Sequence, residues 1–265
     1  MPRFTIYATL VVASLIGLIF FQNQLAVALL TGTLTAFLLP IVDAGVSNFR
    51  YTRLMLSSVR HYRKRVRVSI SYLFRIELNG KYLLIRGSRY PDHFQPVGGV
   101  YKFNPSAKDV FRQWSVESDD LIPIDNVSED DLRVRVPGKH LLSFVHWFEA
   151  AKNREVGPHR EFHEELVRPG YLPSDTFAYV RSDFVERQIK PVRYSEYAQS
   201  FELLIADIYD VTLNQDQRAK LQDLQASHTA SNEIIWANSE HIRRRGAVPG
   251  LPQNYRISTT ASWTL

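Results

Sequence analysis

The sequence predicts a transmembrane hairpin of two helices over residues 1–45, a basic helical stalk over 46–64, and a cytoplasmic α/β (α+β) domain over 65–265 with a mixed sheet packed between helices. Three observations predict it. Two uncharged apolar runs stand at the N-terminus, parted only by Gln22-Asn23-Gln24. At Arg65 the pattern changes abruptly to β-branched and aromatic residues. From there strand-like and helix-like stretches mix to the C-terminus, as in an α/β or α+β domain.

The first apolar run, FTIYATLVVASLIGLIFF, covers residues 4–21, and the second, LAVALLTGTLTAFLLPIV, covers 25–42. A bilayer core takes about 20 apolar residues per helix. Hydrocarbon admits helices because their backbone hydrogen bonds close internally. A signal peptide would explain the first run, with Ala26-Val27-Ala28 as a cleavage site, but Arg3 alone makes a weak basic start and a second run follows at once. A buried soluble hairpin is the other alternative, since Thr31, Thr33 and Thr35 soften the second run. Arg50, Arg53, Arg60, Arg63, Lys64, Arg65 and Arg67 follow the second run, and the link between the runs carries no charge. Basic residues stay on the cytoplasmic side. This expects a multi-pass protein of the bacterial inner membrane with its N-terminus and soluble domain in the cytoplasm. The same basic run suits anionic headgroups of the lipid bilayer, so no DNA or RNA partner is expected.

In the soluble part, residues 66–78 and 81–87 read as strands joined by Asn79-Gly80, a strong hairpin signal. A further strand-like piece holds Gly98-Gly99. Residues 104–137, punctuated by Pro105, Pro123 and Pro137, read as an insertion with short local structure. Helices are expected over 140–157 and, after Gly157-Pro158, from there to about Arg168. Strands are expected at 176–185 and 199–211, a helix over 215–226, a strand and helix within 233–246, and an irregular tail after 247. The absence of cysteine excludes disulfides and thiolate metal sites.

The stretch REFHEELV, 160–167, is the chemical anomaly. Glu161, Glu164 and Glu165 fall at i, i+3 and i+4, one face of a helix, where like charges repel. Either water solvates that face or a cation sits on it. Magnesium takes hard oxygen ligands and polarises phosphates and water. His159 and His163 have i, i+4 spacing, but Arg160 stands where a zinc-protease motif needs Glu.

The strand hairpin, Gly98-Gly99 and a helix bearing Arg160-Glu161-Phe162-His163-Glu164-Glu165 resemble a Nudix domain. That resemblance implies Mg2+ or Mn2+ on Glu161, Glu164 and Glu165, which would also be the catalytic residues of an active enzyme. It implies ligand-binding roles for Arg160, Gly98 and Gly99, and Lys102, Arg86 and Arg89 flank the glycines as phosphate partners. The chain departs from the signature in three places. Lys152 stands where a Glu belongs, about sixty residues part Gly98-Gly99 from the helix, and the Gly that should follow Glu164-Glu165 after one residue is displaced to Gly170. With its helix hairpin, the chain resembles the two-transmembrane Nudix effectors of bacterial CBASS antiphage systems. The resemblance implies a domain that senses a cyclic nucleotide made by a partner nucleotidyltransferase, clusters as a homo-oligomer, disrupts the membrane and causes abortive infection. The alternatives are a membrane-anchored, metal-dependent hydrolase of a nucleoside diphosphate derivative, and an anchored scaffold.

Overall fold

The computed structural model describes residues 2–47, 49–87, 91–119, 129–196, 198–227, 232–251, 253 and 255–265. The chain forms two compact units, Met1–Ser57 and Ser58–Leu265.

The first unit holds α1 (Pro2–Phe20) and α2 (Gln24–Ser47), with α3 (Phe49–Arg60) running into the boundary. Asn23 caps α2 through a 2.7 Å bond from the Ala26 N–H to its Oδ1, the usual device for an orphan N–H at a helix start. Helices α1 and α2 lie side by side, with the Tyr7 and Phe37 rings 5.6 Å apart. A Cβ on Gly17 would sit 3.0 Å from the Leu30 methyls, so glycine permits this approach. The Thr31, Thr33 and Thr35 hydroxyls donate to the carbonyls of Val27, Leu29 and Thr31 at 2.6, 2.7 and 2.9 Å. Each polar group is thus satisfied inside its own helix, which removes the cost of placing it in an apolar medium. Gln24–Val42 is long and apolar enough to cross a membrane, while the described apolar part of α1, Ile6–Phe20, is shorter.

The second unit is built on two mixed sheets rather than the expected one. The seven-stranded sheet has β1 (Arg65–Arg75) at its centre, parallel to β10 (Ser200–Thr212). Both strands are rich in β-branched and aliphatic residues, and Val66, Val68, Ile70, Leu203, Ile205 and Ile208 are all buried, as suits a sheet covered on both faces. The other edge of β1 pairs first with β7 (Arg133–Pro137) and then with β5 (Gly98–Val100). Strands β6 (Glu117–Ser118), β8 (Arg181–Ile189) and β9 (Arg193–Ser195) complete this sheet. The second sheet runs β11 (Ile234–Asn238), β3 (Lys81–Arg86), β4 (His93–Pro96), β12 (Arg256–Ile257), with β2 (Glu77–Leu78) hairpinned onto β3. Gly98 adopts φ 153°, a conformation open to glycine, and there the chain passes from β4 in one sheet to β5 in the other.

Asn79-Gly80 forms the expected turn, both residues at positive φ. Two segments are more ordered than their composition suggests. The stretch read as an insertion contributes α4 (Ala107–Trp114) and β7, a neighbour of β1; its residues 120–128, Pro123 among them, lie outside the described residues. The tail supplies β12 and a 3-10 turn over Thr259–Thr264, placing Ile257 and Ala261 in a core with Leu84, Phe94, Ala237 and Ile242. Helix α5 (Leu141–Glu149) stops well short of the expected end at 157, and the chain runs without regular structure to α6 (His159–Phe162). Helix α7 (Gln215–Ser227) falls where expected, and α8 (Ser239–Arg243) follows β11.

Candidate functional site

Helix α6 continues into a π-helical turn over His163–Val167, a distortion that concentrates at functional positions. Its apolar side holds it down. Phe162 is buried with its ring 5.5 Å from Phe74 and 6.2 Å from Phe177, and Leu166 and Val167 are buried beside it. The glutamates occupy the other side, facing the Gly98-Gly99 strand.

The backbone of β1 demands the first glycine, and the Glu161 side chain crowds the second. A Cβ on Gly98 would collide with the backbone of Tyr72, and one on Gly99 would fall inside the Glu161 carboxyl group. The Gly98 N–H donates to Glu165 Oε2 at 2.9 Å. Arg160 supplies a cation to Glu161 and Glu164. Its Nη1 donates to Glu161 Oε1 at 2.6 Å and to Glu164 Oε2 at 3.0 Å, and its Nη2 donates to the Val100 carbonyl at 3.2 Å. Its Nε donates to Glu155 Oε1 at 3.3 Å. Glu155 also ties the preceding loop to the sheet. It accepts from the Lys102 N–H at 3.2 Å through Oε2, and its own N–H donates to the Lys102 carbonyl at 2.8 Å.

These contacts set the protonation states. Burial works against the Arg160 charge, but Tyr72, Glu161 and Glu155 together raise its pKa above that of free arginine. Burial raises Glu161, with Arg160 pulling the other way. Glu165, the more deeply placed carboxyl, is pushed up to about 8 by burial, against the Gly98 N–H and with the charges of Glu161 and Glu164 adding to the rise.

A second charged cluster lies under the site. Asp207, 2% exposed, accepts from Arg187 Nε at 2.6 Å, Arg187 Nη2 at 2.9 Å and the Tyr101 hydroxyl at 2.9 Å. Arg154 and Arg187 both stack on Phe148, at 3.9 and 4.7 Å from its centroid. Arg154 also donates to the Glu155 carbonyl at 2.5 Å, so the cluster holds the residue that holds Arg160.

The structure therefore brings together Glu161, Glu164, Glu165, Arg160, Gly98 and Gly99. Lys102 joins them through its backbone only; its ammonium lies 3.4 Å from Asp131. Arg86 belongs to the other sheet, where it donates to the Asn232 carbonyl at 2.7 Å. Arg89 lies outside the described residues. His159 packs on Tyr179 at 5.5 Å and His163 is exposed. Sequence reasoning missed Glu155 because it stands five residues before Arg160, whereas the signature places its acid eight before, at Lys152. An acid at either offset was the signal to seek.

A Nudix domain is the class defined by two mixed sheets, a glycine floor and an Arg-Glu-Phe-His-Glu-Glu helix. The model of the SMODS-associated NUDIX domain matches residues 65–265, and the chain belongs to that family. The family fits an effector role associated with CBASS-type antiphage systems. No curated protein and no solved structure matches the chain. Nudix domains generally use divalent metals. Among the described residues, no group of three or more His, Asp or Glu side chains is placed to hold a metal ion. Glu161 and Glu164 spend oxygens on one guanidinium nitrogen, and Glu165 turns to the Gly98 N–H. Each carboxylate is thus engaged by a protein donor through one oxygen, and carboxylate oxygens are the hard donors that magnesium takes.

Proposed function

We propose that this protein is a membrane effector of a CBASS antiphage system. Its Nudix domain senses a cyclic oligonucleotide second messenger without turning it over, and its N-terminal helices carry the output. The carrying observation is that Arg160 closes the carboxylates that a metal-dependent hydrolase would keep open for its ion. A domain so arranged keeps the Nudix scaffold and surrenders the feature that hydrolysis depends on.

The output follows from the first unit. Large apolar side chains on α1 and α2 are exposed, Ile19, Phe20, Leu25 and Leu29 among them, and a bilayer is the solvent that suits them. With the basic residues after α2 held in the cytoplasm, both helices cross the inner membrane, and the N-terminus and Nudix domain lie on the cytoplasmic side. A ligand that binds the assembled state more tightly than the monomer shifts the population toward a homo-oligomer. The clustered helices then breach the membrane and stop the infected cell.

One observation favours a second reading. Glu165 is held near neutrality, at about 8, the range in which a carboxyl serves as acid or base at cellular pH. That favours an anchored hydrolase of a nucleoside diphosphate derivative, with magnesium or manganese displacing Arg160. The test is the full chain in lipid nanodiscs, titrated calorimetrically with cyclic di- and trinucleotides, with and without magnesium, and assayed for product. Metal-independent binding of one compound without turnover is expected, followed by leakage of vesicles that carry the chain. Turnover of linear nucleoside diphosphates in magnesium, with no cyclic ligand bound, overturns the sensor.

A further inference from the structure

We infer that the ligand's phosphates are read away from the glutamate helix, in a basic cleft on the second sheet. The inference rests on the sensing reading for the ligand's identity, but not for its chemistry. The cleft has a volume of about 620 Å3 and is lined by Arg244, Arg245, Arg256, His93, Gln95 and Gln253 among others. Among the described residues, no Asp or Glu lines it. Small-molecule sites span about 300–1,000 Å3, so the space suits a nucleotide better than a lone inorganic anion.

Strand alternation builds it. Phe94 and Ile257 point into the core beneath, with Leu84 and Ala261. Neighbouring positions on the strands point the other way, so His93 and Gln95 of β4 share a face, and Arg256 is the parallel partner of His93. The third wall is the C-terminal end of α8. There Arg245 adopts φ 53°, a conformation that favours glycine, and Gly246 follows at φ 86°. The Arg245 carbonyl accepts from the Ile257 N–H at 3.1 Å and from Gln253 Nε2 at 2.9 Å. The Gly246 position is filled tightly by the Tyr255 carbonyl, which a Cβ would meet at 2.7 Å. The turn that presents Arg245 is thus bolted to the strand that presents Arg256.

Two of the three arginine charges have no internal partner among the described residues. Arg244 pairs with Glu240 at 2.6 Å. Neither Arg245 nor Arg256 has a side-chain ion pair or hydrogen bond among the described residues. Guanidinium groups converging on a concave surface recognise phosphate by paired hydrogen bonds, and the Gln95 amide offers both a donor and an acceptor to a base edge. The same β4 strand leads through Val97 to Gly98, whose N–H is held by Glu165.

Lipid headgroups carry phosphate too, so the test separates the sources. The full chain is placed in phosphatidylcholine nanodiscs and titrated with a fluorescent triadenylate, a panel of cyclic di- and trinucleotides, and inorganic tripolyphosphate. It is compared with Arg245→Gln/Arg256→Gln and with Arg243→Gln, an exposed arginine that does not line the cleft. The double variant is expected to bind at least tenfold more weakly with an unchanged melting temperature, and Arg243→Gln is expected to bind within threefold of the parent. If a cyclic nucleotide binds the double variant as tightly as the parent, the cleft is wrong and sensing stands. If only tripolyphosphate binds, and the double variant loses it, the cleft stands and cyclic-nucleotide sensing fails. Binding of none of the probes overturns the cleft. Competition by phosphatidylglycerol nanodiscs, with no loss in phosphatidylcholine, assigns the arginines to headgroups and overturns the nucleotide site.

Discussion

The two ends of one strand segment, residues 93–100, differ in how their charges are met. At the Gly98 end, three glutamates converge and an arginine from the same helix turn answers them, with Glu155 as a fourth acid. At the His93 end, arginines converge and, among the described residues, no acid lines the space. Like charges are gathered at a cost in both places. The acidic end meets that cost within the fold, whereas the basic end leaves it for a ligand to meet. The lesson is that charges gathered by a sequence motif can be met by a residue of that same motif.

The largest expected effect comes from breaking the acidic end. Gly98→Ala forces a Cβ into the Tyr72 backbone at a φ that alanine tolerates poorly, and a loss of at least about 3 kcal/mol is expected from overpacking and backbone strain together. Arg160→Ala leaves Glu155, Glu161 and Glu164 without their cation. Breaking a buried pair costs about 3–5 kcal/mol; Arg160 keeps 25% side-chain exposure, so solvent reduces the expected loss to about 2 kcal/mol. Arg160→Lys recovers only part, since a single ammonium cannot reach Glu155, Glu161 and the Val100 carbonyl together. Denaturant unfolding of the full chain in nanodiscs measures all three. A neutral Arg160→Ala would show that the acids do not depend on it.

A pH effect of comparable size comes from Glu165. Its folded pKa, about 8, lies above the ordinary carboxyl value, so the folded state keeps a proton that the unfolded chain has released. Its protonation therefore favours folding fully below the unfolded pKa, near 4.5, and that contribution is lost as pH rises through 8. Stability should fall by about 2–4 kcal/mol across this window without divalent metal. Glu165→Gln should flatten the slope and melt above the parent at pH 8. A parent that grows more stable from pH 5 to 8, with Glu165→Gln following it, would show that the carboxyl is ionised and already compensated.

Much of this was legible in the sequence, and the failures have physical causes. The hairpin at Asn79-Gly80 and strand β10 were readable because turn chemistry and β-branched runs are local signals. The glutamate face was readable from spacing, but the part Arg160 takes in bridging it to Glu155 was not, because Glu155 stands at an unexpected offset. The division into two sheets was not readable, since it depends on long-range pairings such as β11 with β3 and β12 with β4. The cleft was missed for the same kind of reason. Arg245 and Arg256 meet only because the tail, read as irregular, returns as β12 to pair with β4.

The smallest effect is the most discriminating. Arg245→Ala/Arg256→Ala should leave stability within about 0.5 kcal/mol of the parent, as exposed substitutions do when no interaction is lost. Two forces set the sign. Removing two cations from a concave surface relieves repulsion, and salt screens what remains. Alanine at 245 keeps a positive φ that it tolerates no better than arginine does, so the backbone contribution nearly cancels. Arg245→Gly separates the two, because glycine removes both the charge and the strain at φ 53° and should stabilise by up to about 1 kcal/mol. A stabilised Arg245→Gly chain that no longer binds a phosphate-bearing probe would show that stability is given up at this end to keep an arginine there, whereas the acidic end gives up its free charges to gain stability. A destabilised Arg245→Gly chain would place Arg245 in the fold's own interactions and erase the contrast between the two ends.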